Sequence, residues 1–536
     1  MHITQSSNKM AANLCYNVHS GCGVVTSTPL LLCIERADHI MNRTCKIVWL
    51  TIMTAFVLLI SYMLFHNLGK SHLIQTDEAY HATNAYEMFR QGNWIVNTYR
   101  NAVDYFNSKP PLCLDCMILS YKLFGVNAFA ARFPSAVFGL ITCISIIVFF
   151  FTEKNFFSAV LFPLYFGACS VLFTYHMYRA AEMDALFNLF FVLAMISLYK
   201  MSKKHNYMYL YGLSLGLAFM CKGPHAALIF IIGLLYIPRI RSAFTIKRTI
   251  ISVLLALIIP VIWIADRYRF DGAKLFEALF LGEVVGRASN GTQNVLSPLK
   301  DFFTSNIAII FTALVVILIL LSVFTKTKGK IDDANNLKAF LSDNYLFAIW
   351  AVVPVLFFSV SKGFNDWYIY TSLIALCMLS ARLAEFCITK ASACKLYGQI
   401  IVGILSVALA LFFMIPTIRT DINLAGMGGH PVDQFTQEAI AFKEKWGEEY
   451  SGANAYLISY FRVDESVEDH WEPEYVAPAE MYLDVIPVDG TVEDFLNDPD
   501  AILFIDKRRW DEFSPILAGH VILWDDSYIV FSNDMY

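Results

Sequence analysis

The sequence predicts a mainly α-helical, polytopic membrane protein of about eleven spans. It also predicts amphipathic helices in the first external loop and a small C-terminal α/β domain. Three observations lead there. Of 536 residues, 57% are hydrophobic and only 16% charged, and a mean hydropathy of +0.52 is too apolar for an ordinary soluble globule. Apolar stretches long enough to cross a bilayer, or nearly so, recur along most of the chain. The charge is partitioned: from Thr417 onward there are about 25 acidic against about 7 basic residues, while the first 416 are basic on balance. Tail and body therefore occupy different surroundings.

Residues 1–45 read as an N-terminal extension or a mis-called start. "VVTSTPLLLCI" is too short to cross a bilayer, and Met41 opens a basic start that runs straight into an apolar span, as in many inner-membrane proteins. A transmembrane domain over 46–416 follows, with spans expected near 46–67, 130–151, 156–175, 184–201, 207–221, 225–238, 249–265, 302–325, 344–360, 367–382 and 396–416. "KMSKKHN", "RIRSAFTIKR", "KTKGK" and "ARLAEFCITKASACK" are basic and fall at alternate loops, so they are assigned to the cytoplasm. The stretch 207–238, interrupted by "CKGP", is flanked by basic loops on both sides, which favours a tight hairpin of two short crossings over one kinked span. The loops at 68–129, 176–184, 222–224, 266–301 and 361–366 then lie outside, together with the tail. That tail, 417–536, is expected to be an extracytoplasmic α/β domain with a helix near 433–447. Strands are expected at "AYLISYF", "MYLDVIPV", "AILFID", "HVILW" and "YIVFS", with a short helix at "TVEDFLND". None of the twelve cysteines lies after Cys394, so no disulfide framework is expected in the tail.

The first external loop carries the densest chemistry: Asp77-Glu78, Tyr80, His81, a helix to Arg90, a "GNW" turn, and Lys109 before Pro110-Pro111. Carboxylates beside a span are costly unless solvated or used. The structural alternative is that Asp77 caps the following helix and Glu78 sits in its first turn. Asp184 opens a span beside Glu182 and Arg179, either as a second site carboxylate or as a helix cap with an ion pair. His81 either assists Asp77 or solvates the loop. "CLDC" at 113–116 is a lone C-x-x-C in an apolar segment and reads as structural. Trp367, Tyr368 and Tyr370 read more readily as an interfacial aromatic belt than as a sugar platform.

The run "TDEAYHATNAYEMFRQGNWIVNTYRNAVDYFNSKPPL…YKLFGVNAFAARFPSAVFGL" resembles the opening of the bacterial protein mannosyltransferase and aminoarabinose transferase group. The likeness continues through "YRAAEMDALFNLFF", "GLAFMCKGPHAAL", "FLGEVVGR" and "FFSVSKGFNDWYIY". It implies a C-type glycosyltransferase fold and an enzyme using a polyprenyl-phosphate-linked sugar on the outer face of the cell membrane. The acceptor would be a lipid, glycan or protein hydroxyl, or a phosphate, with inversion. A carboxylate then takes the acceptor's proton; Asp77 is the expected base, with Glu78 and Asp184 as further site carboxylates. The leaving phosphate is stable as an anion and needs cations rather than an acid. Lys109, Lys222, Arg287 and Lys362 are the candidates for the phosphate, and Tyr80, His81 and Tyr368 for other substrate contacts. The chain departs from the aminoarabinose transferases where Tyr80 replaces an Arg and Ser108 a Glu. Sugar and acceptor therefore do not carry over, and no metal, cofactor or nucleic-acid partner is expected. Rival readings are a secondary transporter, which would carry mid-span charges in related halves, and a lipid-linked glycan flippase or polymerase.

Overall fold

The computed structural model describes residues 43–286, 294, 296–327, 333–361, 363–391, 395–427, 430–460 and 471–535. The expected N-terminal extension lies almost wholly outside them.

Among the described residues, eight helical runs are long and apolar enough to cross a bilayer, or nine with the bent pair Asn336–Asp343 and Tyr345–Ser359. The expected eleven also counted Phe156–Ala168 as a crossing and divided the run Tyr207–Ala243 into two. Phe156–Ala168 has 13 residues, about 20 Å of helix, against a hydrocarbon core of about 30 Å. It is buried almost throughout, packed among the helices Arg43–Phe65, Ala128–Thr152 and Tyr370–Ala391. Its apolarity therefore reflects an interior position as much as a crossing. The other is the run Tyr207–Ala243, in which the Tyr211 hydroxyl donates to the Ile229 carbonyl at 3.1 Å. In a straight helix, residues 18 apart are about 27 Å apart, so the chain doubles back. The reversal falls at Gly223–Ala226, where Gly223 takes a left-handed φ of 53°. The first arm packs closely on Ile246–Asp271: a Cβ at Gly216 would come within 2.5 Å of the Ala256 carbonyl. This is the small-residue contact by which membrane helices approach.

The tail folds around a five-stranded sheet, ordered Ile486–Pro487, Asn454–Ile458, Ile502–Asp506, Tyr528–Met535, His520–Asp525. The first three strands are parallel and the last two antiparallel. Alternation sends Ile502 and Phe504 to a core with Phe435 and Phe442 of the helix Pro431–Trp446, and Leu503 and Ile505 to one with Phe495 and Phe531. The strand expected over 481–488 is mostly absent. Ala479–Leu483 is a helical turn that packs against the helix Thr76–Gln91 in the loop after the first span, leaving only Ile486–Pro487 extended.

The tail grips that loop through Arg90–Asp484 at 2.9 Å, Arg100–Asp489 at 2.6 Å, and the Thr76 hydroxyl donating to Glu474 at 2.5 Å. Between these contacts the Glu87 and Glu480 carboxyls meet. Burial, reinforced by Glu87, pushes Glu480 up to about 9, with Arg90 and Arg100 opposing; burial raises Glu87 as well. A carboxyl raised in the folded state binds more protons there than when unfolded. Its contribution is therefore complete below the ordinary glutamate value of 4.5 and is lost as pH rises through about 9. Tail docking is accordingly expected to loosen across that window and to become less pH-dependent in Glu480→Gln. Limited proteolysis of the tail across the same pH range measures it; identical profiles for the two proteins would refute it.

Candidate functional site

The helix Thr76–Gln91 begins at Gln75, which is extended and makes no side-chain cap, and ends at Gly92 in the left-handed region. Asp77 is therefore not the cap. Both acids lie in the first turn, where the helix dipole favours them, but consecutive helical residues point about 100° apart. Asp77 is turned outward, its side chain 51% exposed, and Glu78 is turned into the core at 1%. Glu78 accepts from Arg132 Nε at 2.6 Å and Nη2 at 2.7 Å, and from the Ala181 amide at 2.8 Å. Arg132 also donates to the carbonyls of Leu68, Ser71 and His72. Glu78 thus ties this helix to the helix Ala128–Thr152 and to the loop before Asp184. Expected among the catalytic carboxylates, Glu78 has both oxygens committed to Arg132 and the Ala181 amide.

Asp77 faces a polar pocket of about 60 Å³ whose other walls are Tyr80, His81, Asn107, Lys109, Glu182, Asp184, Lys222, Trp367 and Tyr368, with Phe106 at its rim. His176 Nδ1 lies 2.9 Å from Glu182 Oε1 and 4.0 Å from Asp77 Oδ2. Its backbone is held at φ 52°, and its ring stacks on Trp367 with centroids 3.7 Å apart. The Asn107 amide donates to His81 Nδ1 at 3.0 Å. That fixes the imidazole proton on Nε2, which faces Glu182 Oε2 at 3.5 Å. Burial holds His81 well below its usual range, helped by Lys109, His176 and Lys222. Burial pushes Glu182 up to about 7 against the opposing hydrogen bond and charge of His176. For His176, burial acts downward, but Glu182, Asp184 and Asp77 outweigh it and the result is a raised value. His176 and Glu182, each raised above its ordinary value, thus face one another at 2.9 Å beside His81, which is held below its own.

Asp184, the first residue of Asp184–Met201, follows Met183 at the N-cap position, which makes no side-chain cap, and pairs with Lys222 Nζ at 2.6 Å, both side chains buried. The partner expected from sequence, Arg179, instead donates to the carbonyls of Met63, Leu64 and His66. Lys222 also lies 4.9 Å from the Tyr368 ring centroid. Lys109 is half-buried and donates to Asn107 Oδ1 at 3.3 Å. A second, apolar cavity of about 330 Å³ adjoins the first, lined by Pro224, Leu228, Leu279, Phe357, Phe358 and Val360. Val360, on its wall, is 81% exposed. Lys109, Lys222 and Tyr368 line both cavities.

Seven of the residues expected from sequence, Asp77, Tyr80, His81, Lys109, Lys222, Asp184 and Tyr368, therefore share one place. Tyr80 stacks on Tyr99 and donates to Asp104. Tyr368 is 6% exposed, so it is a wall of the site rather than part of an aromatic belt. Arg287 and Lys362 lie outside the described residues. Cys113 and Cys116 are free thiols. Sequence reasoning missed His176 altogether and saw Glu182 only as a neighbour of Asp184. Both sit in "HMYRAAEMD", where a histidine and a glutamate just before a site carboxylate were the available signal.

The family described as Dolichyl-phosphate-mannose-protein mannosyltransferase matches residues 108–264. Two relatives are each named Undecaprenyl phosphate-alpha-4-amino-4-deoxy-L-arabinose arabinosyl transferase. The one from Yersinia pestis (strain Pestoides F) is 26% identical over 59% of this chain and 56% of its own. The one from Photorhabdus laumondii is 28% identical over 70% of this chain and 66% of its own. The chain thus spans a little over half the length of the first and just under two thirds of the second. The crystal structure of ArnT from Cupriavidus metallidurans bound to undecaprenyl phosphate superposes with a TM-score of 0.67 at 16% identity, covering 91% of this chain and 98% of that one. The apo structure gives 0.65. The fold is that of the multi-pass C-type membrane glycosyltransferases. Within that class, the chain is similar to the bacterial aminoarabinose transferase group.

Proposed function

We propose that this protein is an inverting glycosyltransferase that moves a sugar from a polyprenyl-phosphate donor to an acceptor hydroxyl, on a lipid, glycan or protein, at the outer face of the cytoplasmic membrane. One observation carries the reading: Lys109 and Lys222 stand where an apolar cavity meets a small polar pocket. A prenyl chain suits the apolar cavity, its phosphate the two lysines, and its sugar the pocket beside Asp77. The acceptor oxygen attacks the anomeric carbon opposite the phosphate, the carbon–oxygen bond to phosphate breaks, and Asp77 takes the acceptor's proton. The leaving group departs as an anion that Lys109 stabilises. Lys222, already shared with Asp184, contributes less net charge. The names of the two relatives, and the lipid bound in the ArnT structure, support this donor class.

Lys109→Ala is expected to weaken binding of a polyprenyl phosphate by the loss of one charge-assisted contact, roughly 1.5–3 kcal/mol. Arg287→Ala should do likewise, if it approaches the same phosphate. Donor affinity equal to wild type in the purified double variant would remove both residues from the site.

The basic loops at alternate connections support an external site and tail, and a division into a membrane domain over 46–416 and an outer domain over 417–536. A C-terminal alkaline phosphatase fusion is expected to be active, and fusions at Lys203 inactive. The reverse pattern would place the tail, and with it the site, in the cytoplasm.

A further inference from the structure

We propose that this protein holds one anionic phospholipid in a second site, at the end of the hairpin remote from Lys222. Two basic loops, "KMSKKHN" and "RIRSAFTIKR", lie at that end, and the fold ties them together. The Ser242 hydroxyl meets His205 Nε2 at 3.3 Å, and the Ser252 hydroxyl donates to the Met208 carbonyl at 2.8 Å. The first arm of the hairpin, Tyr207–Lys222, has 16 residues, about 24 Å of helix. The site is therefore separate from the polar pocket and its two lysines.

Two cavities meet there. One, of about 640 Å³, is lined by Lys204, His205, Tyr207, Tyr209 and Arg248. The other, of about 210 Å³, is an apolar groove between both arms of the hairpin and the helix Ile246–Asp271, lined by Met208, Phe230, Leu234, Phe244 and Val253. Neighbouring residues on the same helical turns divide between them. Tyr207, Tyr209 and Arg248 line the first, whereas Met208 and Thr249 line the second. A charged bowl and an apolar groove thus share one rim.

The cations at that rim lack a counter-charge. Lys200 and Lys203 both pair with Glu153, but among the described residues no carboxylate pairs with Lys204 or Arg248. Arg248 is half-buried, and its Nη1 donates to the Ala243 carbonyl, which holds the guanidinium at the cavity wall. A fixed guanidinium beside an ammonium suits a phosphodiester. The groove then selects among phosphates. A free phosphate would leave its apolar walls bare, whereas the acyl chain of a phospholipid continues from the phosphate along them, and basic pockets between spans hold anionic head groups in this way. Phe230, Leu234 and Val253 are 47–51% exposed and belong to helical runs long and apolar enough to cross a bilayer, so the groove is open at the surface of the bundle. A lipid seated there touches both arms and the next helix, and so braces the hairpin whose turn carries Lys222.

The test uses full-length protein, delipidated in a neutral detergent and titrated with dioleoyl phosphatidylglycerol, with binding read by native mass spectrometry and by the thermal midpoint. Wild type is expected to retain one phosphatidylglycerol more tightly than phosphatidylcholine, and to gain in midpoint. The double variant Lys204→Ala/Arg248→Ala should lose affinity by about 10-fold or more, since each cation beside an anionic lipid contributes about 5-fold. Should it misfold, Lys204→Ala alone decides, because that side chain is exposed; it should lose about 5-fold. Glycerol phosphate, a head group without chains, should leave the midpoint unmoved. Equal retention of phosphatidylcholine, wild-type affinity in Lys204→Ala, or an equal shift with glycerol phosphate would each overturn the proposal. Tighter, Lys204-dependent binding of undecaprenyl phosphate would overturn it too. Binding is read here without sugar transfer, so the outcome is independent of the function proposed for the polar pocket.

Discussion

Asp77→Asn is expected to lower sugar transfer by about 10²-fold or more while leaving the protein folded. The structure makes this substitution unusually clean. Asp77 lies in the first helical turn but is not the N-cap, and its half-exposed carboxylate holds no other residue in place. Asparagine is nearly isosteric with it and costs the helix only a dipole contribution of about 0.3–1 kcal/mol. A large loss of turnover with an unchanged thermal midpoint is therefore chemical in origin. The measurement is transfer from a polyprenyl-phosphate donor by the purified, monodisperse variant. If it keeps most of its activity and Asp184→Asn does not, the base lies on the Asp184–Met201 helix, and the Asp184–Lys222 pair must open during the reaction.

Glu78→Ala is expected to fail in the opposite way, through assembly. Arg132 is buried at 5% exposure, and without Glu78 its guanidinium keeps only backbone carbonyls. Breaking a buried pair from one side costs about 3–5 kcal/mol because a charge is left uncompensated. The Ala181 amide loses its acceptor in the same step, so the loop that carries His176 and Glu182 is released. Yield of monodisperse protein and thermal midpoint should both fall well below those of Asp77→Asn. Glu78→Gln, which keeps an acceptor but not the charge, should fall between them. A Glu78→Ala protein as stable as wild type would show that the three hydrogen bonds do not hold the loop.

The contrast between these neighbours marks where sequence reading stopped. "TDEAY" shows two acids at the start of a helix after a span, and that much, with the helix and its glycine end, was legible. Which acid turns inward depends on where Arg132 arrives from 54 residues away, and no local pattern carries that. The hairpin at Gly223–Ala226 was readable because its flanks are both basic, a signal imposed by the membrane rather than by packing. The interior placement of Phe156–Ala168 was not, since a helix buried in protein and one facing lipid are equally apolar. In the tail, the β-branched and aromatic runs at 454–458 and 502–506 reported their strands. "MYLDVIPV" has similar composition but opens in a helical turn that packs on the helix Thr76–Gln91. His176 escaped notice because its role depends on a backbone conformation and a stacking partner, Trp367, that lie beyond any sequence window.

The grip of the tail on the loop after the first span also bears on how the molecule is made. Thr76 and Glu474, which join across that contact, are 398 residues apart in the chain. At 5–20 residues per second, about 20–80 s of synthesis separates them. For that interval the helix Thr76–Gln91 has been made but its partners in the tail have not, and Glu87 lacks its contact with Glu480. It becomes enclosed only when the last fifth of the polypeptide emerges and folds. Bracing of the helix Thr76–Gln91 by the tail is thus among the final events of biogenesis, and a ribosome stalled after the last membrane span would leave that helix and the loop after it without the partners of Thr76, Arg90 and Arg100.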